Sequence, residues 1–300
     1  MAKDRSWRGV SRFFSGRAIF RDRYTGVTAE VPCGGAAKSM KKSLPGRYGE
    51  WAVVAGASQG LGAAFAEELA KRGMNVVLVA RRGDVLGEVA GRLHADHDVD
   101  VRCVTLDLAS RNFASMLANA VADIDPGIVI YNAALIPIGG FIDTHEDVLE
   151  EVVRVNVRGP LLLARAVLPG MRDRGRGALV LVSSLAGMQG APRFAAYSAS
   201  KAFSTILAEA LWAELREYGV DVSVCCAGAM PTPGYLATTS RAAPGMLAPE
   251  EAARQTLDAL GRGPRFVPGF VNRISAQFMG RFLTRRAAIR LIDGSTRHMS

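Results

Sequence analysis

Tyr197 and Lys201 are the side chains best placed to do chemistry in this 300-residue chain. At i and i+4 on a helix they share a face, so a phenol and an ammonium converge on one point. A free phenol titrates near ~10 and is a poor acid–base catalyst at neutral pH; a cation within ~4–6 Å lowers that value by roughly 1–3 units. Alone, a Tyr-xxx-Lys pair is most often surface decoration. Here Ser184 stands thirteen residues before Tyr197, and Asn132 and Asn156 precede both. Hydroxyl, amide, phenol and ammonium in one set suit proton transfer to or from an oxygen.

A second set lies upstream. Ala52 to Ala55 is an apolar run, followed by Gly56, Gly60 and Gly62 and then by Ala63, Ala64, Phe65, Leu69 and Ala70 at helical period. A strand that turns through glycines into a helix presents free backbone N–H groups, with Ser58, Gln59 and Leu61, at the positive end of the helix dipole. That is a site for phosphate or pyrophosphate. Gly56 permits the tight turn, Gly60 a close ligand approach and Gly62 close helix–strand packing. About 20 residues on, Arg81 and Arg82 occupy the place where an acidic residue would bind the ribose hydroxyls of NAD. Arginine favours the 2′-phosphate of NADP. Asp107 and Leu108 fall where an adenine ring would lie, and Asn132, Ala133 and Ala134 leave room for a cofactor near the backbone.

These residues need elements to position them. Buried strands are expected at Asn75–Ala80, Asp100–Leu106, Gly127–Tyr131, Ala178–Val182 and Asp221–Cys226, with a short one at Arg265–Val267. Helices are expected through Val85–Leu93, Phe113–Leu117, two stretches of His145–Met171, Ala195–Tyr218 and Pro249–Leu260. Continuous apolar strands alternating with helices predict an α/β fold: one doubly wound parallel sheet of about seven strands, helices on both faces. Ligands of such a sheet lie beyond the carboxyl ends of the strands, where most of the residues above fall.

Charge is unevenly spread. Residues 1–48 carry 11 Lys/Arg against 3 Asp/Glu and residues 262–300 carry 8 against 1, which leaves an acidic body of 18 against 24. A nucleic-acid enzyme would carry its positive charge on the folded body, so no nucleic-acid partner is expected. Cys33, Cys103, Cys225 and Cys226 show no metal-ligand spacing, and no metal is expected. Cysteine usage fits a reducing compartment. The longest uncharged stretch, Val222–Ser240, is too broken by Pro and Gly to span a membrane. Three segments are expected: a basic, flexible extension over 1–48 in which Trp7, Val10, Phe13 and Phe14 form a short amphipathic helix; a catalytic domain over 49–270; and a basic amphipathic segment over 271–300.

Over residues 50–270 the sequence resembles the short-chain dehydrogenase/reductase family. The resemblance rests on Gly56-Ala-Ser-Gln-Gly-Leu-Gly62, Asp107, Asn132-Ala-Ala, Asn156, Ser184, Tyr197-Ser-Ala-Ser-Lys201 and the Gly228-to-Thr232 turn. It departs from the family pattern at Ala55 (usually Thr), Ala134 (usually Gly) and Ala227 (usually Pro). The resemblance implies an NADP(H)-dependent oxidoreductase with an Asn156–Ser184–Tyr197–Lys201 tetrad. Hydride reaches a carbonyl carbon from the nicotinamide while Tyr197 protonates the oxygen and Ser184 hydrogen-bonds to it. Lys201 lowers the tyrosine pKa and holds the ribose hydroxyls, and Asn156 holds a water that relays protons.

The substrate walls are expected at Leu135–Phe141, Met188–Phe194 and Met230–Leu247, apolar apart from Arg193 and Arg241. They predict a fatty-acyl, steroid-like or polyketide-like ketone or alcohol. The tail at Val267–Arg273 is also similar to reductases of 3-oxoacyl groups and to hydroxysteroid dehydrogenases. The expected setting is cytoplasmic, as a homodimer or homotetramer, with peripheral contact to anionic membrane through the basic ends. The rival is a non-catalytic NADP(H)-binding redox sensor or scaffold, which would not need the complete tetrad.

Overall fold

The computed structural model describes residues 13–14, 17–21, 28–32, 43–236 and 245–296. The chain divides into two units, Met1–Lys41 and Lys42–Ser300. In the first, Phe13–Phe14, Arg17–Arg21 and Thr28–Pro32 form a three-stranded antiparallel sheet. The helix expected over Trp7–Phe14 is thereby corrected: Phe13 and Phe14 pair with Ala18 and Arg17 as strand. Aromatic and β-branched residues recur through Ile19, Phe20, Thr28 and Val31, and such side chains favour strand. The flexible reading gives way to strand at Arg17–Arg21 and Thr28–Pro32 as well. Trp7, Val10, Gly34, Gly35 and Lys38–Lys42 lie outside the described residues.

The second unit starts with a short helix, α1 (Leu44–Tyr48), where the flexible extension was expected. Ser43 caps it, and Arg47 and Tyr48 both donate to Asp221. The strands are β1 (Trp51–Ala55), β2 (Asn75–Ala80), β3 (Val101–Thr105), β4 (Pro126–Tyr131), β5 (Gly177–Ser184), β6 (Val220–Ala227) and β7 (Arg265–Phe266). They form one seven-stranded parallel sheet in the order β7-β6-β5-β4-β1-β2-β3. The order reverses between β1 and β4, and the strand ends on either side of that crevice carry the glycine loop and Asn132.

The helices are α2 (Gly60–Lys71), α3 (Gly83–Asp96), α4 (Phe113–Ala120), α5 (Glu146–Val152), α6 (Gly159–Asp173), α7 (Ala195–Leu215), α8 (Pro233–Leu236), α9 (Pro249–Ala259), α10 (Phe270–Phe282) and α11 (Arg285–Thr296). Strand side chains alternate between two cores. Ala52 and Val54 of β1 face Phe65, Leu69, Leu86 and Leu257 of α2, α3 and α9. Val53 and Ala55 face Phe113, Leu163 and Ala208 of α4, α6 and α7. A strand apolar on both sides is stable only between two helical layers, which is why the unbroken runs of the sequence become this sheet. Among the described residues no helix is long and apolar enough to cross a membrane.

Candidate active site

The glycine loop follows β1 directly. Gly56 has φ +88°, and a Cβ there would lie 2.6 Å from the Ala133 nitrogen. At Gly62 a Cβ would overlap the Gly56 carbonyl oxygen, and the Asn132 amide donates to that same oxygen at 3.0 Å. Asn132 therefore ties the end of β4 to the loop. Its own N–H and that of Ala133 continue to Ala55 O at 2.9 and 3.0 Å. Alanine at position 55 leaves this backbone tie intact.

Arg81 and Arg82 part company. Arg81 reaches Glu151 of α5 at 3.6 Å. Arg82 donates to Gln59 Oε1 at 2.9 Å and to Ser58 Oγ at 3.4 Å, which holds its guanidinium over the glycine loop. A group that fits this place is anionic and lies close to backbone: three glycines that admit no side chain, one cation above them and the start of α2 below. Asp107 accepts from the Ala109 N–H, while Leu108 and Leu61 are buried in the two cores and offer a ligand little more than backbone. Thr232 lies against Gly60, whose Cβ would come 2.9 Å from Thr232 Cγ2. Gly228 packs on buried Asn272 of α10, a residue the sequence reading passed over. A cavity of about 590 Å³ beside the loop is lined by Ser58, Gln59, Gly60, Thr232, Glu67 and Arg92 among others. It does not include Ser184, Tyr197 or Lys201.

Beyond β5 and on α7 the proton-transfer set comes together. Ser184 Oγ accepts from the Ala186 N–H at 3.2 Å, and its hydroxyl is close enough to the Tyr197 phenol to favour its ionised form. Lys201 Nζ lies 5.6 Å from the Tyr197 ring centre and donates to Val182 O at 2.8 Å. Burial pushes the Tyr197 phenol up from its ordinary value, and the nearby Ser184 hydroxyl only partly opposes this. Burial also lowers Lys201 to about 8. Burial favours the neutral phenol over the phenolate. A phenol that stays protonated at neutral pH is a proton donor.

Asn156 sits in a π-helical segment, Val153–Arg158, between α5 and α6. Its Oδ1 accepts from Leu135 N and its Nδ2 donates to Leu135 O, both at 2.8 Å. Nδ2 also reaches Ser200 Oγ at 3.1 Å, and Ser200 in turn donates to Tyr197 O at 2.7 Å. One amide thus joins the loop after β4 to the helix bearing Tyr197. Tyr131, the last residue of β4, donates its hydroxyl to Val155 O at 2.7 Å and packs its ring against Gly159. A π register alters the regular i−4 pairing, and Tyr131 gives the Val155 carbonyl a partner. Neither Tyr131 nor Ser200 stood out in the sequence, because both act only through contacts far along the chain.

The walls around the phenol are apolar. Tyr197 clusters with Ile138, Ala186, Ala191, Phe194, Tyr235 and Ile292. Ile292 belongs to α11, a helix the sequence reading assigned to a basic tail. It lies along the loop after Ser184: Arg285 donates to Met188 O at 2.6 Å, and Ile289 meets the Gly190 position at 3.7 Å. Phe141, expected in the wall, faces outward. Residues 237–244 of the third expected wall, Arg241 among them, lie outside the described residues.

Known proteins resemble this chain in sequence and fold. The family model for short chain dehydrogenases matches residues 50–242. A 7beta-hydroxysteroid dehydrogenase from Clostridium sardiniense is 33% identical over 230 residues, covering 76% of this chain and 88% of that protein. A solved structure of a 7beta-hydroxysteroid dehydrogenase superposes with a TM-score of 0.79 at 31% identity, covering 84% of this chain and 99% of that one. A short-chain dehydrogenase from Sphingobium yanoikuyae in complex with NADPH superposes with a TM-score of 0.70 at 28% identity, covering 77% and 93% of the two chains. The chain belongs to the short-chain dehydrogenase/reductase family, and it is an oxidoreductase of carbonyl and alcohol groups.

Proposed function

We propose that this protein is an NADP(H)-dependent reductase of an apolar ketone, a steroid-like ring system first and a 3-oxoacyl chain second. The observation that carries the reading is a phenol with Lys201 Nζ 5.6 Å from its ring, set in a wall of aliphatic and aromatic side chains. When bound, the nicotinamide supplies hydride to the carbonyl carbon. The chain's own groups do the rest. Tyr197 gives its proton to the carbonyl oxygen, and Ser184 stabilises the charge growing there. Lys201 holds positive charge beneath the phenol, and Asn156 keeps the Leu135 loop and the Tyr197 helix in register. Run in reverse, the same groups oxidise the secondary alcohol, with Tyr197 accepting the hydroxyl proton. The test is NADPH oxidation against ketosteroids and 3-oxoacyl thioesters. Tight NADPH binding with no ketone turned over would favour the sensor or scaffold reading instead.

Arg82, Ser58 and Gln59 would hold the 2′-phosphate of NADP, with Gly56, Gly60 and Gly62 at the pyrophosphate. The same reading puts Asp107, Leu108, Asn132, Ala133, Ala134, Gly228 and Thr232 along the cofactor. Arg81, paired with Glu151, has the lesser part. Arg82→Asp should move preference toward NADH, because losing a charged hydrogen bond costs about 1.5–3 kcal/mol, roughly 10–150-fold in affinity. Comparing KM for NADPH and NADH in Arg82→Asp and Arg81→Asp checks this; a larger effect at Arg81 would reverse the assignment.

The reading also includes a cytoplasmic enzyme, a homodimer or homotetramer, that touches anionic membrane peripherally. Its support is a stripe on α10: Phe270, Ile274, Phe278 and Phe282, at i, i+4, i+8 and i+12, are each half or more exposed. Arg281 lies on the same helix, and Arg285, Arg286 and Arg290 follow on α11. Apolar bulk beside cations suits a charged interface, where each Lys/Arg contributes about 1 kcal/mol. Sedimentation with anionic liposomes should fall sharply at high salt and in a Phe278→Ser/Phe282→Ser variant. Oligomeric state, measured on the same variant, shows whether the stripe instead joins copies of the chain.

A further inference from the structure

The loop after β3, residues 107–111, is the one read above as the wall for an adenine ring. Its internal hydrogen bonds are local. Asp107 accepts from Ala109 N through its carboxylate at 3.0 Å and from Ser110 N through its carbonyl at 3.1 Å. Leu108 is buried in the core that holds Phe113, and Ser110 Oγ is buried without a partner. Among the described residues, the hydrogen bonds that join this loop to another element all come from Arg158. Its Nη1 donates to Ser110 O at 2.9 Å, and its Nη2 donates to Arg111 O.

Arg158 ends the π-helical segment Val153–Arg158, which also carries Asn156. Residues two apart on a helix do not share a face. Asn156 accordingly serves Leu135 and Ser200, while Arg158 serves the loop after β3. The backbone on either side of Arg158 is set by Tyr131, which donates to Val155 O at 2.7 Å and whose hydroxyl fills the space that a Cβ at Gly159 would need. From that fixed root the guanidinium meets two carbonyls with two N–H donors. Bonds from a charged donor are stronger than neutral ones, and a lysine ammonium could not reproduce the planar pair.

We propose that Arg158 is the positioning residue of the adenine half of the cofactor site. It holds residues 107–111 in the conformation that presents Asp107 and Leu108 to the base, and it acts through that loop rather than on the reacting atoms. The proposal rests on the cofactor placement given above and adds to it the side chain that fixes the placement. One short segment then stands between the two halves of the site, with Asn156 on the proton-transfer side and Arg158 on the adenine side.

Titration calorimetry with 5′-AMP, 2′,5′-ADP and NADPH tests this without turnover. Arg158→Met removes both donors and should weaken all three ligands by a common factor of about tenfold. Arg158→Lys should fall between the variant and the wild type. In NADPH oxidation the loss should appear in KM for NADPH, with kcat and the ketone KM changing by less than about twofold. Amide exchange at Ala109 and Ser110 should quicken in the unliganded Arg158→Met protein. Arg82→Asp, by contrast, should weaken 2′,5′-ADP and NADPH and leave 5′-AMP nearly as it was. A 5′-AMP affinity within about twofold of the wild type in Arg158→Met would overturn the proposal. A loss spread evenly over adenine ligands, ketone KM and kcat would overturn it as well, because that pattern marks general damage to the fold. A wild type that binds none of the three ligands would end both this role and the cofactor placement. Equal wild-type affinity for 5′-AMP and 2′,5′-ADP, with Arg158 required for both, would support the role while contradicting the preference for NADP.

Discussion

Replacing Tyr197 with Phe should lower ketone-dependent NADPH oxidation by at least ~100-fold, the scale on which a general acid acts. Affinity for NADPH should change far less, because the ring keeps its place beside Phe194, 6.4 Å away. The size of the loss follows from burial. Tyr197 is half-buried among apolar side chains, and the hydroxyl that bears on it is that of Ser184, which is itself held by Ala186 N. Ser184→Ala should therefore leave a slower enzyme, whereas Tyr197→Phe leaves no group of comparable acidity at the oxygen. Retention of more than about a tenth of the wild-type rate would remove Tyr197 from the role.

Lys201→Met should abolish turnover on a similar scale and, unusually for a buried substitution, change stability in a pH-dependent way. Folding lowers Lys201 from an ordinary value of 10.5 to about 8. The sign follows from proton counts. Between these two values the unfolded chain binds the extra proton and the folded chain does not, so wild-type stability rises with pH across that window. The gain is complete above the unfolded value and is lost as pH falls through about 8. At pH 7 the wild type carries the full penalty of a buried cation, about 3 kcal/mol for a shift of this size. Methionine removes that penalty but leaves Val182 O without its donor, a cost of about 1–3 kcal/mol. The two offset each other near neutrality, so the net sign at one pH decides little. The slope decides it. Urea unfolding at pH 7, 8.5 and 10 should show the wild type gaining about 2.5 kcal/mol on the variant, and a constant difference would mean that Lys201 is not shifted. The same titration predicts that reductive turnover declines as pH rises through about 8, as Lys201 loses its charge beneath the phenol.

What could be read from the sequence was whatever short-range spacing carries. The buried strands ran unbroken and alternated with helices, so the parallel sheet followed, with strand bounds within a residue or two. The glycines after β1 and the Tyr197–Lys201 pair are local patterns that a turn and a helix convert directly into geometry. What sequence could not carry depends on distant contacts. Tyr131 is a strand terminus until the π segment brings Val155 O to its hydroxyl. Arg81 and Arg82 are adjacent and chemically alike, and only the positions of Glu151 and Gln59 separate them. Phe13 and Phe14 fit a helical stripe on paper, yet they pair as strand with Ala18 and Arg17. The cationic tail concealed the other assignment of Ile292, because a helix packed over the pocket and one left in solvent share the same mixture of arginine and aliphatic residues.

The central claim is hydride transfer to a carbonyl carbon with Tyr197 supplying the proton. It is tested most directly by incubating the wild type with a ketosteroid and NADPH carrying deuterium at the transferring position. The account predicts one deuterium on the carbinol carbon of the product alcohol, a solvent-derived proton on its oxygen, and almost no product with Tyr197→Phe. Oxidation of NADPH without labelled alcohol, or labelled alcohol formed at the wild-type rate by Tyr197→Phe, would contradict it.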